Sequence, residues 1–178
     1  MGIKDIIHNR LLASAKPFEQ HGRWRPGEKP LRLVGLVLCL EDISEMVSLK
    51  KVQAFFTEQG AVCLTCIFKK DKKMEISKDL FDEDTVLLNQ DSINWYGAVQ
   101  TGCVAFFLQK SFDLVINLSK DFFFPVSYLA SLTAATIKIG RYLHPYSPYR
   151  LVLGANDHGD ADAFIHLLNS SLQFIKFE

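Results

Sequence analysis

Phe112-Asp113-Leu114-Val115-Ile116-Asn117-Leu118, followed by Ser119-Lys120-Asp121, decides the fold. The run from Phe112 to Leu118 is almost wholly apolar, long enough for a strand and too short for a helix. Such a run fits a strand covered on both faces, as in a parallel sheet. It stops at Ser119, Lys120 and Asp121, and an apolar helix-like segment follows at Phe123–Ala135. Thr136–Arg141 then reads as a further strand, completing a strand–helix–strand unit.

Working back towards the N-terminus, Leu31–Leu40 is a strong first strand, apolar except for Arg32 near its start. Glu41-Asp42-Ile43-Ser44-Glu45 reads as a helix start, with Asp42 at the N-cap and Glu45 three residues on, as in a capping box. Met46, Leu49, Val52, Phe55 and Phe56 give that helix an apolar face, and Gly60 ends it. Val62–Phe68 is the second strand. Lys69-Lys70-Asp71-Lys72-Lys73 is a solvated charge run, and Thr85–Asn89 is the third strand. A polar-aromatic loop at Asn89–Gly97 leads to a short helix at Val99–Lys110, with Val99, Cys103, Phe106 and Phe107 inward.

Towards the C-terminus, few residues separate Arg141 from Tyr149–Leu153, whereas a parallel crossover needs about a dozen. The last strand is therefore expected to run antiparallel to its neighbour. Gly154–Asp160 turns the chain into a closing helix, with Phe164, Leu167, Leu168, Leu172 and Ile175 on its apolar face. At the other end, Ile3–Ala15 reads as an amphipathic helix with Ile3, Ile6, Ile7 and Leu11 on one stripe, Leu12 as a further candidate for it, and His8 on the polar side. The segment Lys16–Pro30 is an arm. The whole is a three-layer, Rossmann-like α/β fold. Its mostly parallel sheet has about six strands and an antiparallel last strand. Residues 1–30 form a helix and arm, and 31–178 a single α/β domain.

Composition bounds the function. Lys plus Arg and Asp plus Glu are 20 each, so no global field draws the protein to nucleic acid or to an anionic membrane. Neither partner is expected. The expected partner is a second copy, held through the N-terminal helix, because its apolar stripe needs cover. Cys39, Cys63, Cys66 and Cys103 all lie in apolar segments. Cys63 and Cys66 match C-x-x-C, but on a strand a separation of three puts them on opposite faces, which suits neither one metal nor a redox turn. Buried reduced thiols fit a cytoplasmic protein. The N-terminus has no secretory pattern, and no stretch reaches the roughly 20 apolar residues of a transmembrane helix.

In an open parallel sheet, ligands bind at the carboxyl edge where strand order reverses. The simplest winding puts that point between the first and fourth strands. Asp42 and Ser44 lie on one side, Asn117, Ser119, Lys120 and Asp121 on the other, with Arg141 farther across. Lys120 and Arg141 suit an anion, while Asp42 and Asp121 suit orienting a hydroxyl or accepting a proton. Asp42, Ser119 and Asp121 are equally ordinary N-caps. Asp157, His158, Asp160 and Asp162 lack the order of a calcium loop and the partners of a zinc site, so a capped turn on the opposite edge is expected and no metal is assigned. The dinucleotide, Walker, serine-hydrolase and zincin motifs are missing from the sequence, and nothing in it names a cofactor.

Phe112-Asp113-Leu114-Val115-Ile116-Asn117-Leu118 and Ala134-Ala135-Thr136-Ile137-Lys138-Ile139-Gly140 resemble the centre of a family of small uncharacterised Bacteroidota proteins. That resemblance spans nearly the whole chain and implies no activity. The same centre is faintly similar to one half of the nucleotide-sugar glycosyltransferases, which implies a nucleotide or sugar nucleotide. The expected function is thus a non-catalytic module binding a ligand or partner. The alternative is a transferase-like enzyme holding a nucleotide or nucleotide-sugar between strands one and four.

Overall fold

The structure is a computed structural model that describes residues 2–15, 30–71, 73–77, 80–154 and 161–174. Most of the arm at 16–29, the loop at 155–160 and Ile175 lie outside the described residues. In order come α1 (Ile3–Ser14), β1 (Leu33–Leu40), α2 (Ser44–Glu58), β2 (Val62–Lys69) and β3 (Thr85–Leu88). Then follow a four-residue α3 (Ala105–Leu108), β4 (Ser111–Asn117), α4 (Phe124–Leu132), β5 (Ala134–Gly140), β6 (Leu151–Val152) and α5 (Ala161–Phe174). The sheet order is β3-β2-β1-β4-β5-β6, and every pair is parallel.

Alternation within the strands sets the layers. On β1, Val34, Leu36, Leu38 and Leu40 face α2 and α5, meeting Leu49, Phe56, Phe164 and Leu168. Val37 and Cys39 face the other way, into a cluster with Phe107, Leu129 and Ala130 from α3 and α4. β4 repeats the pattern, with Leu114 and Ile116 on the first side and Val115 on the second. A strand buried on both faces has no polar side to give, which is why β1 and β4 read as apolar runs. The acid in β4 is placed accordingly. Asp113 Oδ2 accepts the amides of Arg32 (2.8 Å) and Leu33 (3.1 Å), tying the start of β1 to β4. Cys63 and Cys66 lie against opposite layers, as their spacing requires.

The last strand corrects the expectation of an antiparallel end. β6 has two residues and pairs with Ile139 and Gly140 at the end of β5. Arg150 N donates to Lys138 O and Leu153 N to Gly140 O, both at 2.9 Å. The returning chain therefore backs up only about 10 Å, roughly three strand residues, rather than a full strand length. A helical crossover is unnecessary for that. The consequence for the site is direct, because Leu153 and Gly154 leave β6 at the carboxyl edge shared by all the strands. The Gly154–Asp162 loop thus starts on the edge where the crevice lies, not the opposite one.

Two local readings also change. Thr101–Val104 is a 3-10 turn and α3 has four residues; Cys103 is exposed and Phe106 only partly buried, while Phe107 is fully enclosed. α1 lies on its own domain through the C-terminal end of the expected stripe, joined by His8 from the expected polar side. Leu12 is buried with Ala98 and Phe124, Leu11 packs beside them, and His8 stacks on Phe124 at 3.6 Å. Ile3 and Ile6 stay exposed. Hydropathy counts histidine as polar, but its ring is a flat apolar surface when a phenylalanine faces it.

Candidate functional site

β4 follows β3 in sequence but lies beside β1, so strand order reverses between β1 and β4. At the carboxyl ends of these strands, towards α2 and α5, the structure holds a cavity of about 120 Å³. Leu38, Leu118 and Phe164 make its apolar walls, and Glu45, Lys120 and Arg141 bring charge. Ala161 closes it from the start of α5.

Glu45 organises the charged side. It sits at the start of α2 with its side chain about 9 % exposed, and Oε1 lies 3.2 Å from Lys120 Nζ. Oε2 accepts the amide of Glu41 at 2.9 Å and that of Asp42 at 3.5 Å. The acid therefore satisfies amides preceding the helix and also faces the cavity; the N-cap is Ile43 rather than Asp42 and carries no side-chain cap bond, so the expected capping box does not form. Arg141, just past β5, places its guanidinium 5.3 Å from the ring centre of Phe164 on α5, a cation–π contact. Two cations, one carboxylate and the Ser48 hydroxyl side chain thus share the lining with hydrocarbon side chains.

Of the residues singled out from sequence, Lys120 and Arg141 line this cavity. Asn117 and Ser119 do not line it; both are buried with their polar atoms engaged, Asn117 on the α4 side of the sheet. Asn117 Nδ2 donates to the hydroxyls of Tyr142 (2.9 Å) and Tyr149 (2.5 Å), and Oδ1 accepts the Ser119 amide at 3.0 Å. Ser119 Oγ accepts the Cys39 amide at 2.8 Å, joining the ends of β1 and β4. Tyr142 also bonds the Ser127 hydroxyl and lies 3.2 Å from the Tyr149 hydroxyl. Burial pushes both phenols above their ordinary range. This network braces the carboxyl edge from below.

Asp42 and Ser44 are exposed and outside the cavity. Asp42 Oδ1 accepts the Ser44 amide at 2.7 Å, and the hydrogen bonds from Ser44 hold its carboxyl below the usual range. Asp121 is exposed on the loop before α4, also outside the cavity. Glu41 is taken up by Lys70 at 2.5 Å. The structure adds Glu45, which the sequence presents only as a capping residue, and Phe164 and Ala161 from α5. Glu45, Leu49 and Val52 recur at helical spacing on the face of α2 that lines the cavity, and that spacing was the available signal.

Among the described residues, no group of three His, Cys, Asp or Glu side chains is placed to hold a metal ion. No helix among them is long and apolar enough to cross a membrane. A family profile described as a family of unknown function, DUF6913, matches residues 6–175. No curated protein and no solved structure matches the chain.

Proposed function

We propose, for a chain that belongs to the DUF6913 family of unknown function, that it is a non-catalytic binding module for a small organic anion. The occupant is a short-chain carboxylate, seated at the carboxyl edge between β1 and β4. One observation carries the reading: a partly open cavity at the reversal of strand order is bordered by Lys120 and Arg141, with Leu38, Leu118 and Phe164 in its walls. A carboxylate head meets the cations while a short alkyl tail replaces water along the hydrocarbon wall. Glu45 sets Lys120 in place and disfavours a second negative charge on the ligand.

Volume favours this over a transferase-like role. A cavity near 150 Å³ admits a ligand about the size of benzene, whereas pockets for drug-sized ligands run to roughly 300–1,000 Å³. At about 120 Å³ the space suits a ligand of some six heavy atoms better than a nucleotide or nucleotide-sugar. The test is a thermal-shift series from acetate to hexanoate, with inorganic phosphate alongside. Stabilisation should peak at butyrate or pentanoate and disappear in Lys120→Ala. A ligand at about a hundred times its Kd adds about 2.7 kcal/mol, which such a melt resolves. A flat series, or one unchanged in Lys120→Ala, would sink the proposal.

A further inference from the structure

A second hollow lies away from that cavity, between α1, the loop at 89–100 and the segment entering α4. It is an open hollow of about 580 Å³ bordered by Lys4, Gln90, Asn94, Trp95 and Phe122, with the stacked pair His8 and Phe124 also in its lining. Trp95 is 75 % exposed at the tip of its loop. An exposed indole is uninformative on a slack loop, but this loop is braced. Asn94 N donates to Ala98 O, Gly97 N to Asn94 O and Gln100 N to Ser92 O, each at 2.9 Å. Asn94 Oδ1 accepts the Ala98 amide at 2.9 Å, and Ile93 and Val99 form an antiparallel bridge. Gly97 takes the turn at φ +94°, where an added Cβ would approach His8 Nε2 and a Phe124 ring carbon, each at 3.4 Å. His8 Nε2 lies 2.6 Å from Tyr96 O, fastening α1 to the same loop. The fold thus spends its hydrogen bonds on presenting an indole beside an open hollow.

We infer that this hollow binds a nucleoside monophosphate, its base stacked on Trp95 and its phosphate at Lys4. Three features select that class. Aromatic faces accept any base, and the Gln90 and Asn94 amides offer the mixed donors and acceptors that a base edge needs. The lining contains a lysine and no carboxylate, so it favours an anionic ligand over a neutral sugar. Its volume falls within the range of small-molecule pockets, unlike the cavity between β1 and β4. This site stands whether or not the carboxylate cavity does.

The sequence has two tryptophans, so Trp24→Phe leaves Trp95 as the sole indole reporter. In that background, AMP and UMP should quench the red-edge-excited emission saturably, and glucose 6-phosphate should not. Lys4→Ala should weaken AMP about fivefold and leave adenosine unchanged, the scale of one exposed ion pair. By calorimetry, Trp95→Leu should weaken AMP about tenfold, the scale of one stacked base. Lys4 and Trp95 are both exposed, so neither change threatens the fold. No saturable quenching up to about 10 mM, which covers a Kd of a few millimolar, would overturn the inference. Equal quenching by glucose 6-phosphate, or AMP binding untouched by Lys4→Ala, would also overturn it. A hexanucleotide binding more than tenfold tighter than AMP would replace the free nucleotide with a nucleic-acid strand.

Discussion

Replacing Gly140 with alanine tests the packing that braces the carboxyl edge. Gly140 is absent from the glycines with positive φ, so its backbone accepts a side chain without strain. The obstacle is space. A Cβ there would lie 2.3 Å from Tyr149 Cδ2 and 2.7 Å from Cε2 and Cγ, well inside contact distance. The ring cannot simply slide, because its hydroxyl is bonded by Asn117 and lies beside that of Tyr142. Forcing it costs about 1–3 kcal/mol of overpacking and about 1–3 kcal/mol for disturbed buried hydrogen bonds. Exchanging glycine for alanine in a strand returns somewhat under about 1 kcal/mol. The net is about 3 kcal/mol, a fall in Tm of about 6–12 °C for a chain of this size. Urea unfolding followed by circular dichroism measures it. The decisive comparison is with Tyr149→Ala, which alone should cost about 3–5 kcal/mol. Adding Gly140→Ala to Tyr149→Ala should cost almost nothing more, since the clash has gone. A neutral Gly140→Ala, or additive single and double variants, would refute the reasoning.

Glu45→Ala should destabilise by about 1–3 kcal/mol, because the Glu41 amide loses its acceptor and Lys120 its partner; Glu45→Gln should cost about 1 kcal/mol or less, and equal losses in urea melts would contradict this. Burial lowers the Lys138 ammonium to about 8 from 10.5, so the unfolded chain holds that proton more tightly between those values; the associated stability is present above 10.5 and lost as pH falls through 8. Burial raises Cys39 to about 12 and Cys63 to about 11, and these thiols act oppositely above pH 9, so pH 8–9 is the informative window. There the native chain should gain about 1 kcal/mol relative to Lys138→Met, and a constant difference would contradict the assignment. Iodoacetamide should label exposed Cys103 first, Cys63 slowly, and buried Cys39 and Cys66 only on unfolding; peptide mass spectrometry showing fast modification of Cys66 would refute the layer assignment.

The sheet was legible where burial on both faces left a signature. The apolar runs of β1 and β4 marked them as central, and the alternation in β2 put Cys63 and Cys66 on opposite layers. The direction of β6 was not, because the crossover rule assumes strands of full length and β6 pairs only the final residues of β5. On α1, Leu11 and Leu12 were legible as apolar, but the part played by His8 was hidden because it counts as polar until Phe124 is known to face it. At the site, Lys120 and Arg141 were legible as cations at strand ends. Glu45 was masked by the capping role the sequence suggested, and Asp42 and Ser44 lie outside the cavity because a residue that starts a helix can point away from the sheet. Phe164 reaches the cavity only through the fold of α5, which no local pattern around strands one and four encodes.

The most direct test of the carboxyl-edge cavity is a butyrate titration of the full-length protein followed by 15N-edited NMR. Saturable shifts are predicted at the amides of Glu45, Leu118, Lys120, Arg141 and Phe164, which border the space. The Lys4, Trp95 and Tyr96 amides in the separate hollow should stay still. Shifts confined to that hollow, or none at any butyrate concentration, would contradict the account.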